Sequence, residues 1–180
     1  MLRVKDLFLK MKNKFILKKV FVNATHWVTM AEGYDRITYA DTIPFIPPIT
    51  CGKVVKIYDG DTITIASKLP GLDPDNWYRF SVRLAGIDCP EMKSKSDSEK
   101  ETAQLAKEFV VDSVMCRVVR LENVVMEKYG RLLARLFYTD DSGQEVCLND
   151  QLVAQRLAVA YDGGTKTSPA NWREYHDASL

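Results

Sequence analysis

The chain has 180 residues, which is enough for one domain with a sizeable core and short for two. Apolar residues make up 46% and charged residues 27%, a balance typical of globular domains, and no apolar run is long enough to predict a membrane-spanning helix. The two histidines, His26 and His176, are too few for a histidine-rich zinc site and argue against a histidine-based catalytic triad.

The cysteines and the charge distribution restrict the class of protein further. The four cysteines form no Cys-x-x-Cys pair, so they do not indicate a structural zinc site. Free buried thiols in a reducing, intracellular compartment fit this pattern, and two disulfides stay open. Residues 1–50 carry a net charge of +4, whereas residues 51–180 carry −3. Any polyanion must therefore be bound by a local group of basic residues or by the N-terminal arm.

Residues 1–22 form a basic segment with one apolar face if they are helical. That face would contain Val4, Leu7, Phe8, Met11 and Phe15. Such a segment is typical of a membrane-surface contact, a targeting sequence or a nucleic-acid-binding arm, and equally of a helix packed on its own domain. Pro44, Pro47 and Pro48 favour an extended linker. We therefore predict an extension over residues 1–48 and a folded domain over residues 49–180.

The first half of this domain shows strand patterns followed by a helix. Strands are predicted over residues 54–57, 62–65 and 77–87, with a turn at Asp59-Gly60 and a proline-broken loop over residues 69–76. Ser98 and Glu101 match a capping box that opens a helix. The predicted core stripe of this helix is Leu105, Ala106, Phe109, Val110 and Val114.

The second half continues with strands near residues 117–126, 131–138 and 145–148. Asn149 is expected to cap a helix that ends at about residue 157, and Ser168-Pro169 is expected to open a last short helix. The element order indicates an α+β fold, a five-stranded β-barrel of the OB type with about three helices.

Polar clusters stand at three predicted strand ends, at residues 59–62, 83–91 and 128–131. The carboxylates of Asp61, Asp88 and Glu91 suit a hard cation such as Ca²⁺. Arg83 and Arg131 offer planar guanidinium groups that suit phosphate oxygens. Together these side chains favour metal-assisted hydrolysis of a phosphodiester.

A structural interpretation of the same residues is open for each cluster taken alone. The Asp-Gly pair can simply close a hairpin, and Arg83 can form a structural salt bridge with Asp88 or Glu91. The occurrence of all three clusters in this order favours the chemical interpretation.

The order of these motifs resembles that of the staphylococcal nuclease (thermonuclease) family. The matching segments are VVKIYDGDTITI at residues 54–65, VRLAGIDCPE at 82–91, KYGR at 128–131 and LNDQLVAQRLAVAY at 148–161. The resemblance covers about residues 51–161 and implies an OB-fold nuclease that uses Ca²⁺ to cleave DNA and RNA. It implies that the 5′ oxygen leaves and that 3′-phosphate ends remain. We expect a monomer that acts on DNA or RNA.

The resemblance also implies metal-site roles for particular residues. Asp61 and Asp88 match the metal-binding carboxylates, and Asp59 matches a supporting acidic position. Cys89 stands where the family has a threonine whose backbone carbonyl binds the metal. Glu91 matches the glutamate that activates or orients the attacking water.

Further roles follow from the same resemblance. Arg83 and Arg131 match the arginines that bind the phosphate. Lys128, Tyr129 and Tyr161 match residues that line the nucleotide pocket. The alternative function is a noncatalytic OB-type module that binds nucleic acid or protein.

Overall fold

The computed structural model describes residues 34–164 and 167–178, and the chain divides into two compact units, residues 1–43 and 44–180. In the first unit, the described residues form two short 3-10 helices, Tyr34–Arg36 and Tyr39–Asp41. The predicted basic segment, residues 1–22, lies outside the described residues. Its membrane-surface or intramolecular contact therefore stays a prediction, as does the domain boundary after residue 48.

The second unit contains eight strands among its described residues. They are β1 (Cys51–Ile57), β2 (Thr62–Ser67), β3 (Tyr78–Leu84), β4 (Ile87–Asp88), β5 (Val118–Met126), β6 (Leu132–Thr139), β7 (Glu145–Cys147) and β8 (Val159–Ala160). The three helices described in this unit are α1 (Asp97–Val114), α2 (Leu148–Ala154) and α3 (Trp172–Asp177). None of the helices within the described residues has both the length and the apolar character of a membrane span.

Five of these strands close into a barrel. They pair in the order β3-β2-β1-β5-β6 with antiparallel neighbours, and β3 then pairs in parallel with β6. Strand β7 extends the sheet beside β6, and β4 pairs with β8 in a separate two-stranded sheet. The predicted α+β fold, a five-stranded OB-type barrel with three helices, is confirmed. Closure places the start of β2, the end of β3 and the start of β6 side by side.

Alternate residues of each strand point into the barrel, and these residues are apolar. Ile63, Ile65, Val82, Leu84 and Leu136 are all fully buried in one core. Helix α1 adds Ala106, Val110 and Val114 to this core, as its predicted stripe requires. The other two stripe residues, Leu105 and Phe109, are only partly buried.

The predicted helix starts were wrong in three places. Helix α1 is capped by Ser96, whose side chain accepts a hydrogen bond from Glu99 N, because the Ser98 hydroxyl bonds to Asn171 instead. Asn171 rather than Ser168 caps α3. Cys147 occupies the N-cap position of α2, which ends at Ala154.

Candidate active site

The β1–β2 turn is held closely against the helix side of the barrel. Tyr58 N donates to Thr62 O, and Leu84 N donates to Asp61 O across to β3. A Cβ atom added at Gly60 would lie 2.8 Å from Ala106 Cβ and 2.9 Å from Cys89 Sγ. Only glycine fits here without displacing Ala106 or Cys89. The close packing therefore fixes the position of the turn and of Asp61, the residue that follows Gly60.

One arginine bridges two buried carboxylates beside this turn. Arg83 Nη1 lies 2.8 Å from Asp61 Oδ1, and its Nη2 lies 2.8 Å from Asp88 Oδ1. Only 4% of Asp61 and 6% of Asp88 is exposed. The Thr62 hydroxyl and the Cys89 N–H also donate to Asp61. The structural salt bridge considered for Arg83 thus exists with Asp88 and also includes Asp61.

The electrostatics of this acidic cluster favour a bound cation. The cluster contains three carboxylates and one guanidinium group. The carboxylates are those of Asp59, Asp61 and Asp88, and the guanidinium group of Arg83 bridges the last two. Burial and the neighbouring charge of Asp61 raise the pKa of Asp59 to about 6. Burial, followed by the charges of the aspartates, also raises the pKa of the Cys89 thiol. A positive ion would offset this excess of negative charge.

The available oxygen donors fit a hard cation, which prefers carboxylate, carbonyl and water oxygens. Within residues 34–164 and 167–178, no three His, Cys, Asp or Glu side chains come together in a way that could hold a metal ion. A cation beside Asp61 and Asp88 therefore needs backbone carbonyl or water oxygens to complete its ligands. The backbone carbonyl of Cys89, the residue that follows Asp88, is one such donor.

A cleft of about 690 Å³ opens next to this cluster. The predicted site residues in its lining are Arg83, Asp88, Glu91, Lys128, Tyr129, Arg131 and Tyr161. Asp61, which pairs with Arg83, and Cys89, whose N–H donates to Asp61, are both buried, and Asp59 accepts a hydrogen bond from Asp61 N at 3.3 Å. The fold thus brings the predicted residues to one region, and their chemical roles stay predictions.

The β5–β6 turn forms the wall that carries Arg131. Arg131 Nε donates to the Glu127 carboxylate, and Arg131 Nη1 lies 3.5 Å from Thr62 Oγ1. Glu127 N also donates to Arg131 O at 2.9 Å, so backbone and side chain both tie the two ends of the turn together. Lys128 Nζ lies 5.0 Å from the centroid of the exposed Tyr129 ring.

The two-stranded sheet brings Tyr161 to the cleft. Ile87 of β4 pairs with Ala160 of β8, and Tyr161 N donates to Gly86 O at 2.9 Å. Glu91 follows β4 in the chain, and its N–H donates to Glu99 Oε1 at the start of α1. The helix start therefore orients the segment that carries Glu91.

Two cleft residues were missed by the sequence analysis. Glu127, which pairs with Arg131, directly precedes the KYGR motif, and its i,i+4 spacing to Arg131 was the available signal. Asp162 directly follows Tyr161 and lines the same cleft. Neither residue belongs to a motif that stands out by itself.

The barrel and the cleft together define an OB-fold protein with an arginine–carboxylate site. Residues 81–178 match the family model described as Staphylococcal nuclease homologue. The chain belongs to this family, as its motif resemblance predicted.

Named relatives agree with this assignment. A probable endonuclease of Schizosaccharomyces pombe is 34% identical over 166 residues, covering 72% of this chain and 68% of the relative. An uncharacterized endonuclease of Haemophilus influenzae is 37% identical over 112 residues, covering 62% and 52%. The micrococcal nuclease of Shigella flexneri is 30% identical over 128 residues, covering 69% and 66%. The chain thus spans about half the length of the Haemophilus relative and about two thirds of the others.

Proposed function

We propose that this protein is a Ca²⁺-dependent nuclease that hydrolyses phosphodiester bonds of DNA, RNA or both and leaves 3′-phosphate ends. The observation that carries the proposal is the cleft lined by Arg83 and Arg131, in which Arg83 bridges the buried carboxylates of Asp61 and Asp88. Family membership and relatives that are named endonucleases support it.

The metal site of the proposed enzyme consists of the carboxylates of Asp61 and Asp88 and the backbone carbonyl of Cys89. Asp59 supports it by adding negative charge next to Asp61. When bound, Ca²⁺ supplies Lewis-acid polarisation of a phosphoryl oxygen and offsets negative charge. The excess of carboxylates over guanidinium in this cluster supports the assignment.

The two arginines bind the scissile phosphate from different walls of the cleft. Charge-assisted hydrogen bonds from Arg83 and Arg131 stabilise the negative charge that grows on the phosphoryl oxygens. Glu91 orients a water molecule and accepts its proton as the water oxygen bonds to phosphorus. The bond from phosphorus to the 5′ oxygen breaks, this oxygen takes up a proton from solvent and leaves as a hydroxyl, and the phosphate stays on the 3′ side.

The remaining cleft residues hold the nucleotide that carries this phosphate. Lys128 supplies a positive charge for a neighbouring phosphate, and Tyr129, which is 73% exposed, offers its ring as a surface for a sugar or base. Tyr161 lines the same cleft next to Gly86.

Digestion of single-stranded DNA and RNA by the full chain tests the proposal. We expect cleavage with Ca²⁺, none with chelator, and products with 3′-phosphate ends. Glu91→Gln should reduce the rate by about 10²–10³-fold, in the range of other transition-state groups, and still bind the substrate. Glu108→Gln, an exposed acid on α1, serves as the matched control.

The outcomes separate the proposed functions. Equal digestion with Ca²⁺ and with chelator would remove the metal requirement. A wild-type protein that binds oligonucleotides and never cleaves them would instead be the noncatalytic binding module.

A further inference from the structure

Each cross-strand row on the outward face of β1, β2 and β3 contains a basic residue. Cross-strand pairing aligns three rows of side chains, which are Lys53, Ala66 and Arg79, then Lys56, Thr64 and Ser81, then Thr62 and Arg83. Paired residues on neighbouring strands share a face of the sheet. These three strands, all within the described residues, contain no Asp or Glu. We call this surface the β1–β3 face.

The β1–β3 face connects the cleft to a second depression. Arg83 ends the face at the cleft, and Arg79 and Lys53 lie at the other end, where both side chains are exposed. Apart from Lys56, the paired residues between them are small or hydroxyl-bearing, namely Ala66, Thr64, Ser81 and Thr62. At a rise of about 3.3 Å per residue, the stretch from Trp77 to Arg83 spans roughly 20 Å.

An apolar groove of about 680 Å³ lies at this far end. One wall is Trp77, whose side chain is 65% exposed, and Lys68 Nζ stands 4.4 Å from its ring centroid. Among the described residues that line the groove, Lys53 and Lys68 are charged and none is acidic. In the β2–β3 loop that precedes Trp77, the Asp73 carboxylate accepts hydrogen bonds from Asp75 N and Asn76 Nδ2.

The chemistry of this path is complementary to a single-stranded nucleic acid. Lysine and arginine at intervals along a smooth face neutralise successive phosphates, and an exposed aromatic ring stacks on a base. The distance of roughly 20 Å corresponds to about six stacked nucleotides at 3.4 Å each, within the site size of about 4–16 nucleotides for one OB fold. Residues 51–180 carry a net charge of −3, so the basic face is a local feature of this domain.

We infer that the β1–β3 face and the Trp77 groove form an extended binding site for single-stranded nucleic acid, in which a base several nucleotides from the scissile bond stacks on Trp77. The inference rests on the proposed nuclease function. Lys53, Lys56 and Arg79 bind the intervening phosphates, and Lys68 binds a phosphate next to the stacked base. Long strands reach the far end of this site at Trp77, whereas a substrate of two or three nucleotides does not.

Fluorescence anisotropy with labelled oligothymidylates tests the inference on the full chain. The probes are a trimer and a dodecamer with phosphorothioate linkages, which slow their cleavage. We expect Trp77→Ala to weaken dodecamer binding at least about fivefold, the usual lower effect of losing one stacked base, and to leave trimer binding unchanged. Trp77→Phe keeps an aromatic ring and should restore most of the affinity.

The basic residues are tested by salt dependence. Lys53→Gln with Arg79→Gln should reduce the slope of log K against log salt for the dodecamer by about 1.4, because two fewer phosphates are neutralised. Lys100→Gln with Lys107→Gln on α1 removes the same charge elsewhere and should change neither the slope nor the affinity by a comparable amount.

Each contrary result has a distinct meaning. A wild-type protein that binds and cleaves the dodecamer while Trp77→Ala behaves identically would overturn the inference and leave the nuclease proposal intact. A wild-type protein that binds neither probe would overturn both. Trp77-dependent binding to phosphatidylserine vesicles, without any effect on oligonucleotides, would assign the groove to lipid and overturn the inference.

Discussion

Arg83 and Arg131 are proposed to bind the same phosphate, yet their surroundings differ. The Arg83 side chain is 17% exposed and bridges two buried carboxylates, whereas the Arg131 side chain is 31% exposed and pairs with Glu127. Removing one partner of a buried ion pair leaves the other charge uncompensated, which costs much more than the loss of a surface pair. Arg83 therefore supports the fold as well as the proposed chemistry.

This difference predicts a split between stability and activity. Arg83→Gln should lower the free energy of unfolding by about 3 kcal/mol and also reduce cleavage. Arg131→Gln should reduce cleavage by about 10²–10³-fold and change stability by less than about 1 kcal/mol. Urea denaturation and initial cleavage rates measure the two effects.

A control for this comparison is Arg120→Gln, which breaks an exposed pair with Glu145 away from the cleft and should preserve activity. Equal stability losses in the Arg83 and Arg131 variants would contradict the structural role of Arg83.

At the scale of elements, one buried side chain joins α2 to the barrel. Asn149 Oδ1 accepts a hydrogen bond from Leu136 N of β6, and Asn149 Nδ2 donates to Ala85 O at 2.7 Å. Ala85 lies between β3 and β4, in the segment that leads to Asp88. Asn149 therefore positions the start of the segment that carries Asp88 as well as the helix.

Asn149→Ala should lower the free energy of unfolding by about 2–3 kcal/mol, because it leaves a buried N–H and a partly buried carbonyl without their partner. Chemical denaturation measures this loss. Asn76→Ala in the exposed β2–β3 loop is the matched control and should cost less than about 0.5 kcal/mol. Similar losses in both variants would show that Asn149 does not join these elements.

At the scale of the whole molecule, acidic and basic side chains predominate in different, neighbouring regions. Carboxylates predominate at the buried cluster, and the β1–β3 face carries only basic charged residues. A polyanion approaching the cleft meets attraction from this face and repulsion from the cluster. A divalent cation would reduce the repulsion and stabilise the fold that forms its site.

We expect Ca²⁺ at about 100 times its dissociation constant to stabilise the wild type by about 2.7 kcal/mol. For a chain of this size, this corresponds to a rise of about 5–10 °C in Tm. Asp61→Asn should abolish the rise, and Asp75→Asn in the exposed loop should retain it. A wild-type Tm that does not respond to Ca²⁺ would contradict the metal site.

Local signals in the sequence determined the strand positions and the fold class. Alternating residues over 54–57 and 62–65 lie within β1 and β2, because strand periodicity depends on immediate neighbours. Helix starts were less predictable, since Ser98 bonds to Asn171, a residue distant in the chain. The two-residue strands β4 and β8 are too short to show any period.

The sequence by itself also identified the candidate site residues through the order of their motifs, and their roles stay predictions. Only the tertiary structure decided that Arg83 bridges Asp61 and Asp88, that Glu127 holds Arg131, and which basic residues share a face with the cleft. These relations depend on strand register and barrel closure. Both are set by contacts between residues far apart in the chain, which no local pattern contains.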